Sequence, residues 1–289
     1  MEALSWEQPP ELRRPVLICA FKGWNDAAES ATGALEFIGR TWEATRAGMI
    51  DPEQFFDFQV TRPTVRLTDG VTREIVWPDL VLWEAKIEGA PHDALLLSGT
   101  EPNLRWRTLC TTIVQAAREA GVELVVSLGA LLADVPHTRP VQITGIAGDP
   151  ELVERLGFSQ TRYEGPTGIV GVLHDSCMRA GLPCASLWAP VPHYVAAVPS
   201  PKASLALIRS LEDVLELDID SEEMEQASTE YEERLDEAVA SEPEVRQLVE
   251  RLERQQDEQD ISFGDLPSGD SIAREFQRFL RERRRGNDG

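Results

Sequence analysis

The stretch Pro15-Val16-Leu17-Ile18-Cys19-Ala20-Phe21-Lys22-Gly23-Trp24-Asn25-Asp26 decides how this chain folds. Its first seven residues are apolar without alternation, the pattern of a strand covered on both faces. Gly23 ends the run. Asn25 or Asp26 then caps a helix in which Ala28, Ala31, Leu35 and Ile38 recur at helical spacing. Strand, turn and helix in that order are the usual opening unit of an α/β sheet.

Outward from that unit the same alternation continues. Strands are expected over 55–60, 73–76 and 80–87, separated by Arg62-Pro63 and Trp77-Pro78, and again over 93–98. A helix over 103–120 stops at Gly121, followed by apolar strands at 122–128 and 141–147 and a short helix at 149–156. Glu164-Gly165-Pro166-Thr167-Gly168 forms a turn and cap for a helix over 169–180. A strand at 184–188 and a helix over 201–215, capped by Ser200, complete the pattern. The reading is a three-layer α/β/α domain with a mostly parallel sheet over residues 13–217, extended by antiparallel strands from 55–87. An acidic helical extension occupies 218–289.

The formal net charge is −22, and residues 211–260 hold 20 Asp and Glu against 4 Arg, leaving the remainder at −6. Within that acidic arm Met224, Ala227, Tyr231, Leu235 and Val239 form an amphipathic stripe. Glu242-Pro243 breaks it, and Val245, Leu248, Val249 and Leu252 restart it. A solvated tail would not need such stripes, so the arm is expected to pack on the domain or on a neighbouring subunit. Polar linkers are expected at 255–260 and 266–270. A last helix over 271–284 carries Ile272, Phe276, Phe279 and Leu280 on one face and a basic end.

These features exclude several classes. The acidity argues against nucleic acid and against anionic membrane surfaces as partners. No apolar run approaches the ~20 residues that span a bilayer. The amino-terminal residues lack a basic and apolar signal pattern, which points to the cytoplasm. Cys19, Cys110, Cys177 and Cys184 show no CxxC spacing and read as buried free thiols of a reducing compartment. HxH, HxxxH, GxGxxG, GxxxxGK[ST] and GxSxG are missing, so neither metal nor cofactor is expected.

A site in such a fold lies at the carboxyl ends of the parallel strands. Trp24, Asn25, Asp26, Glu101, His137, Arg139, Glu164 and His193 gather there, in loops at 22–26, 99–103, 129–140, 164–168 and 190–194. Each also has a structural explanation. Asn25 and Asp26 suit a helix cap, and Glu101 and Glu164 sit at helix entries, where a carboxylate meets the positive end of the dipole. His137 and His193 lie in proline-bracketed loops. Ser98 and Ser127 are the strand-end candidate nucleophiles, and either could borrow His137 or His193 as a base, but nothing in the sequence demands such a pair.

The run from Ala20 through Ala27 resembles the opening of the actinobacterial branch of the proteasome assembly chaperone family. The resemblance continues through Leu97-Ser98-Gly99-Thr100-Glu101-Pro102, the block at 129–140, Tyr163-Glu164-Gly165-Pro166-Thr167-Gly168-Ile169 and the block at 187–194. It implies a phosphorylase/hydrolase-like fold with no established activity, self-association as a dimer or trimer, and proteasome subunits as partners. No catalytic residue carries over. The expected function is that of a non-enzymatic, homo-oligomeric interaction protein. An enzyme or small-molecule binder using the loop pocket is the rival reading.

Overall fold

The computed structural model describes residues 3–68, 71–148, 153, 164–195 and 197–261. In chain order the elements are β1 (Leu4–Trp6), β2 (Val16–Lys22), α1 (Ser30–Thr41), β3 (Thr45–Ile50), β4 (Thr64–Thr68), β5 (Thr72–Val76), β6 (Leu80–Ala85), β7 (Ala94–Thr100) and α2 (Trp106–Glu119). There follow β8 (Leu124–Ala133), β9 (Thr144–Ala147), α3 (Ile169–Arg179), β10 (Cys184–Pro192), α4 (Pro201–Leu215), α5 (Glu222–Ser241) and α6 (Pro243–Ile261).

Eight strands make one sheet in the order β1-β3-β6-β7-β2-β8-β10-β9, while β4 and β5 pair only with each other. β7, β2, β8 and β10 run parallel at its centre. β6, β3 and β1 on one side, and β9 on the other, are antiparallel. Strand β2 is buried on both faces, as its unbroken apolar run requires. Leu17, Cys19 and Phe21 join the core beneath α2 and α3. Val16, Ile18 and Ala20 join the core beneath α1 and α4. This is the expected α/β/α arrangement. All four cysteines are free, buried and in the core on the α2–α3 side.

Four local expectations are corrected. Residues 55–60 form no strand. Asp51 accepts the Glu53 N–H at 3.0 Å to start a single turn, and Phe55 and Phe56 then drop into the same core, which strand alternation would forbid. Strand β3 was not anticipated. Its Gly48 allows a close approach, because a Cβ there would lie 2.5 Å from the Ser5 carbonyl. β8 and β10 run beyond their expected ends, in continuous parallel register from Cys184 opposite Val125 to Pro192 opposite Ala133. Residues 255–260 are helix rather than linker, since Gln and Glu are good helix formers however polar they are.

The acidic helices fold back on the molecule. Tyr231, Val249 and Leu252 are buried, and Met224 packs against the core beneath α1 and α4. Arg209 on α4 reaches Glu225 on α5 at 2.9 Å. The short helix expected over 149–156, apart from Val153, and the last helix over 271–284 lie outside the described residues.

Candidate functional site

The loop cluster at the carboxyl ends of the parallel strands resolves into two assemblies. The first is built on the turn after β2. Gly23 adopts φ +132°, a conformation open to glycine, and Glu101 Cβ stands 3.2 Å from where a Gly23 Cβ would lie. The chain then passes Asn25, whose carbonyl accepts the Ala130 N–H at 2.8 Å and so ties the turn to β8. Asp26 is the cap of α1. Its Oδ1 accepts from the N–H groups of Ala31 and Thr32 at 2.8 and 3.1 Å, and Oδ2 accepts the Thr32 hydroxyl at 2.5 Å. Burial pushes the Asp26 carboxyl up, against the pull of those hydrogen bonds.

Asn25 does not cap the helix; its side chain turns to Glu101. One Glu101 oxygen accepts from Asn25 Nδ2 at 3.0 Å and from the Ile169 N–H at 2.9 Å, while the other accepts the Trp24 N–H at 3.4 Å. Glu101 therefore caps α3, a helix 68 residues away, rather than α2, which follows it in sequence. Burial raises its carboxyl, partly offset by the backbone hydrogen bonds. Gly168 completes the joint, since a Cβ at that position would lie 2.1 Å from Asn25 Nδ2. A carboxylate meeting a helix dipole was legible in the sequence. Its target helix and the role of Gly168 were not.

The second assembly joins the β8–β9 connection to the acidic arm. His137 is buried, not solvated. Tyr194 Oη accepts the His137 backbone N–H at 2.8 Å and bonds its Nδ1 at 2.8 Å, leaving Nε2 3.1 Å from Asp236 Oδ1 on α5. All three bonds are satisfied together when the Tyr194 hydroxyl donates to Nδ1 and Nε2–H donates to Asp236. Arg139 forms a two-pronged pair with Asp257 at 3.0 and 2.9 Å, and Thr138 donates to Glu253 at 2.5 Å. Lys202 donates to the His137 carbonyl at 2.5 Å and also to Glu232. His193 Nδ1 is 3.2 Å from Asp134 Oδ1, and Glu164 is exposed. No sequence signal singled out Asp236, Glu253 or Asp257, which sit in a run of carboxylates.

The strand-end hydroxyls go elsewhere. Ser98 Oγ accepts from Trp83 Nε1 at 3.2 Å. Ser127 is buried, with its Oγ 2.7 Å from Ser186 Oγ, and Ser186 in turn is 3.2 Å from His174 Nδ1. Neither serine is bonded to His137 or His193. Among the described residues no cluster of His, Cys, Asp and Glu could hold a metal ion, and no helix is long and apolar enough to cross a membrane. The geometry performs joining: one carboxylate ties the turn after β2 and its own loop after β7 to the start of a helix, and a tyrosine–histidine pair fastens the arm.

Comparison with known proteins accords with this picture. The model of the PAC2 family matches residues 20–239. A PAC2 family protein from Streptomyces avermitilis is 44% identical, covers 81% of this chain and 99% of its own, and superposes with a TM-score of 0.76. A proteasome-assembly chaperone homologue from Mycobacterium tuberculosis is 42% identical over the same shares, with a TM-score of 0.75. A protein of unknown function from Corynebacterium glutamicum is 26% identical, with a TM-score of 0.82 over 90% of this chain and 99% of that one. No curated protein matches the sequence. With the family model covering most of the folded core and two solved relatives above 40% identity, this chain belongs to the PAC2 family.

Proposed function

We propose that this protein is a non-enzymatic, homo-oligomeric interaction protein that assists proteasome assembly in the cytoplasm. One observation carries the reading. The polar side chains that a catalytic pocket would use at the strand ends are already joined to the fold, with Glu101 bonded to Trp24, Asn25 and Ile169, and His137 bonded to Tyr194 and Asp236. Both ring nitrogens of His137 and both oxygens of Glu101 are thereby occupied by partners from the fold itself. The 42% identity to a mycobacterial proteasome-assembly chaperone homologue supports the choice of partner. In this reading the phosphorylase/hydrolase-like likeness concerns the scaffold alone, and function resides in the surfaces of the α/β domain and of the acidic extension beyond residue 217.

Native mass spectrometry of the protein mixed with proteasome α and β subunits tests the proposal. It predicts a complex holding this chain with at least one subunit type. Absence of any complex, together with unchanged proteasome levels in a deletion strain, would overturn it. The rival small-molecule reading would instead show as a nucleoside, nucleotide, peptide or phosphate that raises the melting temperature and loses its effect in Glu101→Ala.

A further inference from the structure

The β4–β5 hairpin has no counterpart in the sheet or in either core. It is a two-stranded sheet whose outer edges have no strand neighbour among the described residues, and every residue of both strands is exposed. The register places Val65 opposite Ile75 and Leu67 opposite Arg73, so these four share one face. The other face carries the Arg66–Glu74 ion pair, at 3.0 Å. At the base, Trp77 meets Phe58 edge-on with ring centroids 4.8 Å apart, and Phe58 packs against the core beneath α2 and α3. The hairpin is thus anchored at its root, amphipathic, and bare on its apolar side.

We infer that the apolar face of this hairpin is the surface through which two copies of the chain associate. The inference rests on the homo-oligomeric reading above and gives it a location. Three observations select a second copy as the occupant. The first is area: Val60, Val65, Leu67, Val71, Ile75 and Trp77 are each 48 to 85% exposed. Val65, Leu67 and Ile75 share one face, with Val71 in the connection between the strands and Trp77 at the root, so apolar exposure runs the length of the hairpin, as it does at interaction sites. The second is charge. Two chains of net charge −22 repel, and the approach costs least where acid is scarce. Residues 60–77 hold Arg62, Arg66 and Arg73 against Asp69 and Glu74, whereas residues 211–260 carry −16. The third is permanence. An isolated two-stranded hairpin is marginally stable in water, so whatever covers this one must be present wherever the chain is present. A second copy is available wherever the chain is made, and its occupancy of the face rises with concentration.

The test is the oligomeric state of the full chain, measured by light scattering and by sedimentation over a dilution series. Wild type is expected to be oligomeric. Leu67→Glu combined with Ile75→Glu is expected to weaken association at least about 100-fold, since each covered aliphatic side chain contributes a decade or more. The circular dichroism spectrum should be retained, because both positions are exposed within one chain. A wild-type oligomer that the double variant leaves intact would overturn this inference and spare the homo-oligomeric reading. A wild-type monomer at 100 µM would overturn both. Should the double variant not fold, Val65→Cys decides. The four native thiols are buried, so a short bismaleimide should link two Val65→Cys chains and fail to link Met178→Cys chains. Equal linking of the two variants, or none at Val65→Cys, would contradict the proposal.

Discussion

Glu101→Ala is the perturbation that probes the strand-end joint most sharply. The substitution removes the acceptor for Asn25 Nδ2 and for the Ile169 N–H, at 3.0 and 2.9 Å, and both of those residues are buried. A buried donor left without a partner costs about 1–3 kcal/mol, and loss of a helix cap costs ~1 kcal/mol. Part of this is one interaction counted from two sides, so the expected loss is about 3 kcal/mol. At roughly 2–4 °C per kcal/mol for a chain near this size, the melting temperature falls by about 6–12 °C. Equilibrium unfolding in guanidinium chloride gives the free energy directly. Combined with Asn25→Ala it completes a double-mutant cycle whose coupling should be about 1–2 kcal/mol. The titration adds a second readout. Because burial raises the Glu101 carboxyl, the native state holds its proton at pH values where the unfolded chain has released it. Wild-type stability relative to Glu101→Gln is therefore greatest below the ordinary carboxyl value of 4.5 and declines as pH rises through the raised value. A loss within ~0.5 kcal/mol for Glu101→Ala, or strictly additive single substitutions, would refute the joint.

Other substitutions separate the remaining parts of the account. Gly168→Ala should destabilise by about 1–3 kcal/mol through overpacking, because its Cβ would fall 2.1 Å from the Asn25 amide; restored stability in Gly168→Ala with Asn25→Ala, read by thermal melting, would identify that contact as the cause. Tyr231→Ala should free the acidic arm, at a cost of about 3–5 kcal/mol, whereas the exposed pair lost in Arg139→Ala costs under ~1 kcal/mol; limited proteolysis should release α5–α6 in the first variant only, and 1 M salt alone should not release it. Asp93 is buried, which acts to raise its carboxyl, but bonds from the Arg13 side chain and backbone and from the Ile87 N–H hold it below its ordinary value of 3.8. Its contribution is complete above 3.8 and lost as pH falls through the depressed value, so Asp93→Asn should flatten the acid limb of the stability curve.

Much of this architecture was legible because it is local. Strand β2 and its turn declare themselves by an unbroken apolar run and Gly23. Helix α4 declares itself by Ser200, whose hydroxyl accepts the Ala203 N–H at 3.3 Å, and by Pro201. What escaped was set by partners far away in sequence. Phe55 and Phe56 read as strand, yet a turn opened by Asp51 sends both into one core, and the Phe55 carbonyl accepts the N–H groups of Asn103 and Leu104 at 3.0 Å. β3 owes its place to β1 and β6 rather than to its own composition of Thr45, Arg46, Ala47, Gly48, Met49 and Ile50. His137 looked like a loop histidine because Asp236, which bonds its Nε2, lies 99 residues away in a helix whose carboxylates are alike on paper. The candidate residues lie in loops beyond the strands, and several are bonded to partners distant in sequence. Their use follows from distances that spacing alone does not encode.

The central claim is that this chain acts on proteasome assembly through its surfaces and not through chemistry at the strand ends. The most direct test mixes purified proteasome α and β subunits with and without the full chain, and follows the appearance of peptidase activity and of the assembled particle on native gels. The account predicts faster assembly with wild type, and the same acceleration with Ser127→Ala, which removes a hydroxyl buried in the core. Unchanged assembly at equimolar wild-type protein, with no mixed species on the gel, would contradict it.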